Sequence, residues 1–115
     1  MERHLEAGTE RGRELFRRFE EIVADCGDYA VSVSKTTVTF KGPRRGFAGA
    51  RPHGDRLQGY FDVNRRVEDP RIRRVSPYQK DLFVHHFRID SADQVDDDFA
   101  GWIAAAYEQV GCGRR

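Results

Sequence analysis

The sequence predicts an α+β domain, in which a largely antiparallel sheet of about five strands carries an N-terminal and a C-terminal helix packed on one face. Three observations predict it. Apolar residues recur at the helical period near both ends, at Leu15, Phe16, Phe19, Ile22 and Val23 and again at Val95, Phe99, Trp102, Ile103, Ala106, Tyr107 and Val110. Between them the period falls to two, as in Val31, Val33, Val38 and Phe40 alternating with Ser32, Ser34, Thr37 and Thr39. The strand-like runs also follow one another too closely for the crossover helices a parallel sheet needs. The order read from the chain is α-β-β-β-β-loop-β-α.

A chain of 115 residues is one domain, 1–115, with a core expected over about 9–111. Residues 1–7 show no period and are expected to fray. Thr9 is placed to cap the first helix, Gly27 to close it, and Arg17 to pair with Glu21 on its solvated face. The hairpin that follows turns tightly near Lys35 and Thr36 with no Asn-Gly or Asp-Gly, which leaves room for a slightly longer or bulged connection. Gly46 to Arg51 is a short extended segment anchored by Phe47. Leu57 to Val63 is the next strand, with Leu57, Gly59, Phe61 and Val63 on one face and Gln58, Tyr60 and Asp62 on the other. Gly49 and Gly59 fit a close approach of their two backbones and fit simple bulges equally well. Residues 64–80 carry five arginines between Pro70 and Pro77 and their surroundings, and read as a basic crossover loop with one helical turn near Pro70 to Arg74. Leu82, Phe83, Val84, Phe87 and Ile89 make a strand with a neighbour on each edge. Ser91 and Gln94 have the spacing of a capping box that opens the last helix, Asp93 and Asp96 to Asp98 suit its first turns, and Gly111 suits its end.

Composition narrows the function classes. With 38% hydrophobic residues, 8 Phe and 4 Tyr the chain is expected to fold rather than remain disordered. No run approaches the roughly 18 apolar residues that span a bilayer, so no membrane association and a cytoplasmic location are expected. Cys26 and Cys112 are isolated, which reads as two free thiols and neither a disulfide framework nor a metal motif. The net charge of +1 hides a division: residues 1–34 sum to −3, residues 35–88 to +8 and residues 89–115 to −4. Both ends are acidic and the middle is basic.

Several short stretches, taken in order, resemble one family. They are the Leu15-Phe16 helix, Val33 to Phe40, Phe47 after basic residues, Asp69-Pro70-Arg71-Ile72, His85-His86 and Ala106-Tyr107-Glu108. Over about Leu15 to Val110 the chain is similar to the small bacterial domain of unknown function 5655. The resemblance implies a compact α+β domain, found alone or attached to other domains, and supplies no catalytic residues to carry over.

If both helices cover the Val38 and Phe40 face, the opposite face presents Ser32, Ser34, Thr37, Thr39, Lys41, Tyr60, His86 and Arg88, bordered by Arg44, Arg45, Arg51 and Arg56. Guanidinium groups pair with anionic oxygens and a tyrosine can stack on a base. The leading reading is therefore a non-enzymatic module that binds an anionic small molecule or nucleic acid, with Lys35, Lys41, Arg44, Arg45, Arg51, Arg56, Tyr60, Arg74 and His86 as candidate contacts. An ordinary solvated face is the bland competitor. A second reading is a small enzyme or accessory domain using His86 with Lys35 and Arg51, and a third is a protein-interaction or dimerisation module. His85 and His86, adjacent on a strand, point to opposite faces and cannot chelate one metal together, so His85 reads as a packed core residue and His86 as an exposed base. No Gly-x-Ser-x-Gly, phosphate loop or Cys-His pairing is present, and no cofactor or metal is implied.

Overall fold

A computed structural model describes residues 5–79 and 81–114. Residues 1–4 of the segment expected to fray, and Lys80 of the basic stretch, lie outside the described residues. Helix α1 spans Glu10–Cys26, capped by Thr9, whose side chain accepts from the Gly12 amide. It buries Leu15, Phe16, Phe19 and Val23. Arg17 pairs with Glu14 one turn back, at 2.9 Å, in place of the expected Glu21. Six strands follow: β1 Ala30–Val33, β2 Val38–Lys41, β3 Gly46–His53, β4 Arg56–Val63, β5 Ile72–Pro77 and β6 Phe83–Ile89. All neighbours are antiparallel and the order across the sheet is β1-β2-β3-β4-β6-β5. Both helices lie on one face, α1 over β3 and β4 and the C-terminal helix over the same two strands.

The strand count is six rather than five, and the extra strand lies in the stretch expected to be a loop with a helical turn. β5 is an edge strand, paired with β6 alone, and ends at Pro77, where a missing N–H costs least. β6 keeps its expected neighbour on each edge, between β4 and β5. The register of β5 skips between Ile72 and Arg74, leaving Arg73 as an unpaired bulge that breaks the alternation a reader would look for. A second irregularity between Phe40 and Lys41 brings Phe47 and Ala48 both into the core, and Phe47 meets Tyr107 edge-on at 5.2 Å.

The hairpin β1-β2 has the longer connection, closed by the Ser34 amide donating to the Thr37 carbonyl at 3.0 Å. Its two sides fare differently. Val38 and Phe40 are fully buried, whereas Val31 and Val33 remain 39% and 49% exposed, because α1 packs chiefly over β3 and β4. Of the two readings of their glycines, strands β3 and β4 take the close approach: a Cβ on Gly59 would lie 2.1 Å from the Gly49 carbonyl oxygen. The two-residue turn between them uses Gly54 at φ +60°, where a side chain is strained.

The C-terminal segment is three pieces, not one helix. Ser91 and Gln94 form the expected capping box, but it opens a single 3-10 turn, Ala92–Gln94. The chain then restarts at a second cap, Asp96, whose carboxylate accepts from the Phe99 amide, and α2 runs Asp97–Ala106. A π-helical turn, Tyr107–Gly111, completes it. The run of aspartates contained two helix starts, and spacing alone could not separate them.

Between the layers, Phe16, Phe19, Phe40, Phe61, Phe87 and Phe99 form a continuous aromatic core. His85 belongs to it, as expected, stacked on Phe61 at 4.8 Å. Its Nδ1 donates to the Phe83 carbonyl and its Nε2 accepts from the Val67 amide at 2.9 Å, which holds the irregular chain against the sheet. Arg71 fastens the other end of that chain. It is bidentate on Asp69, donates to Asp96 at 2.8 Å and to the Gln94 carbonyl at 2.7 Å, and lies over the Trp102 ring.

Candidate functional site

The face of the sheet away from the helices is built from alternate residues of every strand. One register line crosses all six: Ser32, Thr39, Gly49, Tyr60, His86 and Arg74. The next line carries Arg51, Gln58 and Arg88. Gly49 is needed beneath Tyr60, since a Cβ there would stand 2.5 Å from the tyrosine ring. With the ring lying over β3, its hydroxyl reaches Thr39 Oγ1 at 3.0 Å.

Two adjacent concavities open on this face and share Tyr60. The first, about 580 Å³, is lined by Thr36, Thr37, Arg51, Gln58, Tyr60, Arg73, His86 and Arg88. It holds three arginines and no carboxylate. Among the described residues Arg51 and Arg73 enter no ion pair, while Arg88 Nε lies 3.2 Å from Asp90. His86 Nε2 accepts from Arg74 Nη2 at 3.2 Å, and burial together with the Arg74 charge holds its pKa below the usual histidine range. With Nε2 accepting from Arg74, the neutral imidazole that this shift favours carries its proton on Nδ1.

The second concavity, about 400 Å³, is lined by Thr39, Lys41, Arg45, Tyr60, Asp62, Tyr78 and Val84. Asp62 lies on the same sheet face as Tyr60, two residues along β4, yet is only 6% exposed. Burial pushes its carboxyl up to about 6, against the pull of Arg45. Its Oδ1 is buried and has no hydrogen-bond partner among the described residues. Arg45 donates to Gln79 at 3.1 Å and lies over the Tyr78 ring, closing the outer wall.

Of the residues singled out in the sequence, Arg51, Tyr60 and His86 come together in the first concavity, with Arg74 joined to it through His86. Lys41 and Arg45 line the second. Lys35 is exposed on the β1-β2 connection and lines neither, so it does not meet His86 and Arg51. Arg44 sits beside Gly113, with its amide donating to the Gly111 carbonyl, and Arg56 pairs with Asp90 at 3.4 Å. Arg73, Gln58 and Asp62 were not singled out. Alternation along β4 does place Gln58 and Asp62 beside Tyr60, but Arg73 reaches this face only through the bulge.

A model of the family described as domain of unknown function (DUF5655) matches residues 1–110. The chain belongs to the DUF5655 family. No curated protein and no solved structure matched this DUF5655 chain. Among the described residues of the DUF5655 domain, no helix is long and apolar enough to cross a membrane.

Proposed function

We propose that this domain is a non-enzymatic, cytoplasmic module that binds an anionic ligand on its open sheet face. The observation that carries the reading is the convergence of Arg51, Arg73 and Arg88, from three different strands, on one concavity without a carboxylate in its wall. Guanidinium groups are forked donors matched to phosphate or carboxylate oxygens, and among the described residues two of these three enter no ion pair that a ligand would have to displace. Neutral His86 and the Gln58 amide add uncharged donors, and Thr36 and Thr37 add hydroxyls at the rim. The free thiols Cys26 and Cys112 suit a reducing compartment.

The test is a calorimetric titration with inorganic tripolyphosphate and with a short single-stranded oligonucleotide. Affinity is expected to fall about tenfold or more in Arg51→Ala and in Arg73→Ala, as loss of a charge-assisted hydrogen bond requires. It should also weaken as salt rises. Arg44→Ala, in the β2-β3 connection beside Gly113 and lining neither concavity, should bind as the parent does. Binding that ignores Arg51 and Arg73, or that is indifferent to salt, would overturn the proposal.

A further inference from the structure

We infer that the anionic partner is a single-stranded nucleic acid laid across the open sheet face, its phosphates on the cations and its bases stacked on Tyr60 and Tyr78. The inference rests on the anion-binding reading above and adds the kind of anion the face takes.

The cationic wall does not end at the first concavity. Beyond it, at the outer edge of β5, lies a third concavity of about 340 Å³, lined in part by Arg66, Arg73 and Arg74. Arg73 borders both the first and the third, as Tyr60 borders both the first and the second, so the three form one row. The row runs from Thr39 and Lys41 on β2 to β5, across four strand spacings, or about 19 Å. Lys41 and Arg45 stand at one end, the three arginines of the first concavity in the middle, and Arg74 and Arg66 at the other. Of these seven, Arg88 alone enters an ion pair among the described residues. Carboxylates line only the two outer concavities: buried Asp62 in one, and Glu68 with Asp69 in the other, where Arg71 already holds Asp69. A single phosphate group would engage one stretch of such a row. A chain of phosphates engages all of it.

Aromatic rings are interleaved with those charges. Tyr60 crosses β3 above Gly49 to reach Thr39, so its ring stands between the first and second concavities. Tyr78 borders the second, is 54% exposed, and has the Arg45 guanidinium 5.6 Å from its ring centroid. An open ring adjoining cations takes a base on the ring and the neighbouring phosphates on the cations.

The same features select a single strand over a duplex. A duplex keeps its bases stacked inside and offers neither tyrosine a partner. Both helices lie on the other face of the sheet, so neither is placed to enter a groove. At the stacked spacing of about 3.4 Å the row takes about six nucleotides, and fewer when the strand is drawn out.

The experiment follows the fluorescence anisotropy of labelled oligonucleotides at low salt. It compares a thymidine twelve-mer, an abasic strand with the same number of phosphates, the corresponding duplex, and thymidine strands of two to eight nucleotides. The twelve-mer should bind about tenfold or more tighter than the abasic strand and the duplex, and affinity should climb with length up to about six nucleotides. A uridine twelve-mer is run beside it, and the tighter of the two names the sugar. Tyr78→Ala, at an exposed position, should weaken the twelve-mer about fivefold or more and leave tripolyphosphate binding unchanged. Tyr60→Ala should do the same and Tyr60→Phe should not, with circular dichroism confirming that each variant is folded. An abasic strand or a duplex bound as tightly as the twelve-mer, full affinity already at two nucleotides, or indifference to Tyr78→Ala would sink the single-strand assignment. Tripolyphosphate binding that still depends on Arg51 and Arg73 would then leave the anion site standing. Failure of every strand and of tripolyphosphate to bind would remove both readings.

Discussion

Asp62→Asn should make the domain more stable at neutral pH and change nothing in acid, and the size of the effect follows from where the carboxyl sits. Burial moves its pKa from the ordinary 3.8 up to about 6. The folded state therefore holds a proton that the unfolded chain has already released, so this group's contribution is full below about pH 4 and is lost as pH rises through about 6. At about 1.36 kcal/mol for each pKa unit, the loss is on the order of 3 kcal/mol. Asparagine has nearly the same shape and no charge to desolvate, so it escapes that loss. The expected result is two urea-denaturation series, parent and variant, whose stabilities lie closest near pH 4 and separate in the variant's favour by about 3 kcal/mol near pH 8. In a domain of this size that corresponds to a melting-temperature gain of roughly 10 °C or more at the higher pH. Because every other titrating group is common to both proteins, the difference between the curves isolates Asp62. A gap that stays constant across the range, or one that shrinks as pH rises, would refute the reasoning.

Two further changes probe the frame that holds the site. Gly59→Ala puts a methyl group 2.1 Å from the Gly49 oxygen and 2.7 Å from the Phe87 ring, and should destabilise the fold by about 1–3 kcal/mol or more, read by chemical denaturation. An unaltered midpoint would mean that β3 and β4 are not pressed together there. His85→Phe keeps a flat ring on Phe61 but leaves the Val67 amide without its acceptor, at a cost of about 1–3 kcal/mol. Hydrogen exchange at Val67 should accelerate in that variant, and an unchanged rate would show that the amide is protected by something else.

Where a periodic pattern met a covered face, the chain could be read directly. The stripe of α1, the two faces of β4 and the packed role of His85 all follow from alternation plus a helix layer on one side. Where a pattern was interrupted, reading failed for a physical reason. β5 has one neighbour, leaves its arginines exposed, and breaks its own period at Arg73, so neither hydrophobicity nor parity marked it. Val31 and Val33 carry the right pattern, but both helices pack chiefly over β3 and β4 and leave β1 exposed. The site shows the same split. The polar face was legible strand by strand, whereas the meeting of Arg51, Arg73 and Arg88 depends on a strand order, β4-β6-β5, that the linear sequence does not contain. Asp62 shares its concavity with Tyr78 and Arg45, from segments distant along the chain, and no neighbour in sequence announces that meeting.

The single extra residue at Arg73 carries a consequence for how this chain can vary. Two consecutive arginines ordinarily diverge on a strand, yet here both reach His86's side of the sheet, while Arg71 just before them is tethered to Asp96 at the start of α2. Exchanging side chains in this stretch would alter the strength of the cationic wall by degrees. Removing Arg73 would restore plain alternation and leave Arg74 alone on that side, whereas removing Ile72 would set a guanidinium opposite Phe87, toward the hydrophobic layer, so which residue is lost here matters more than which side chain is exchanged.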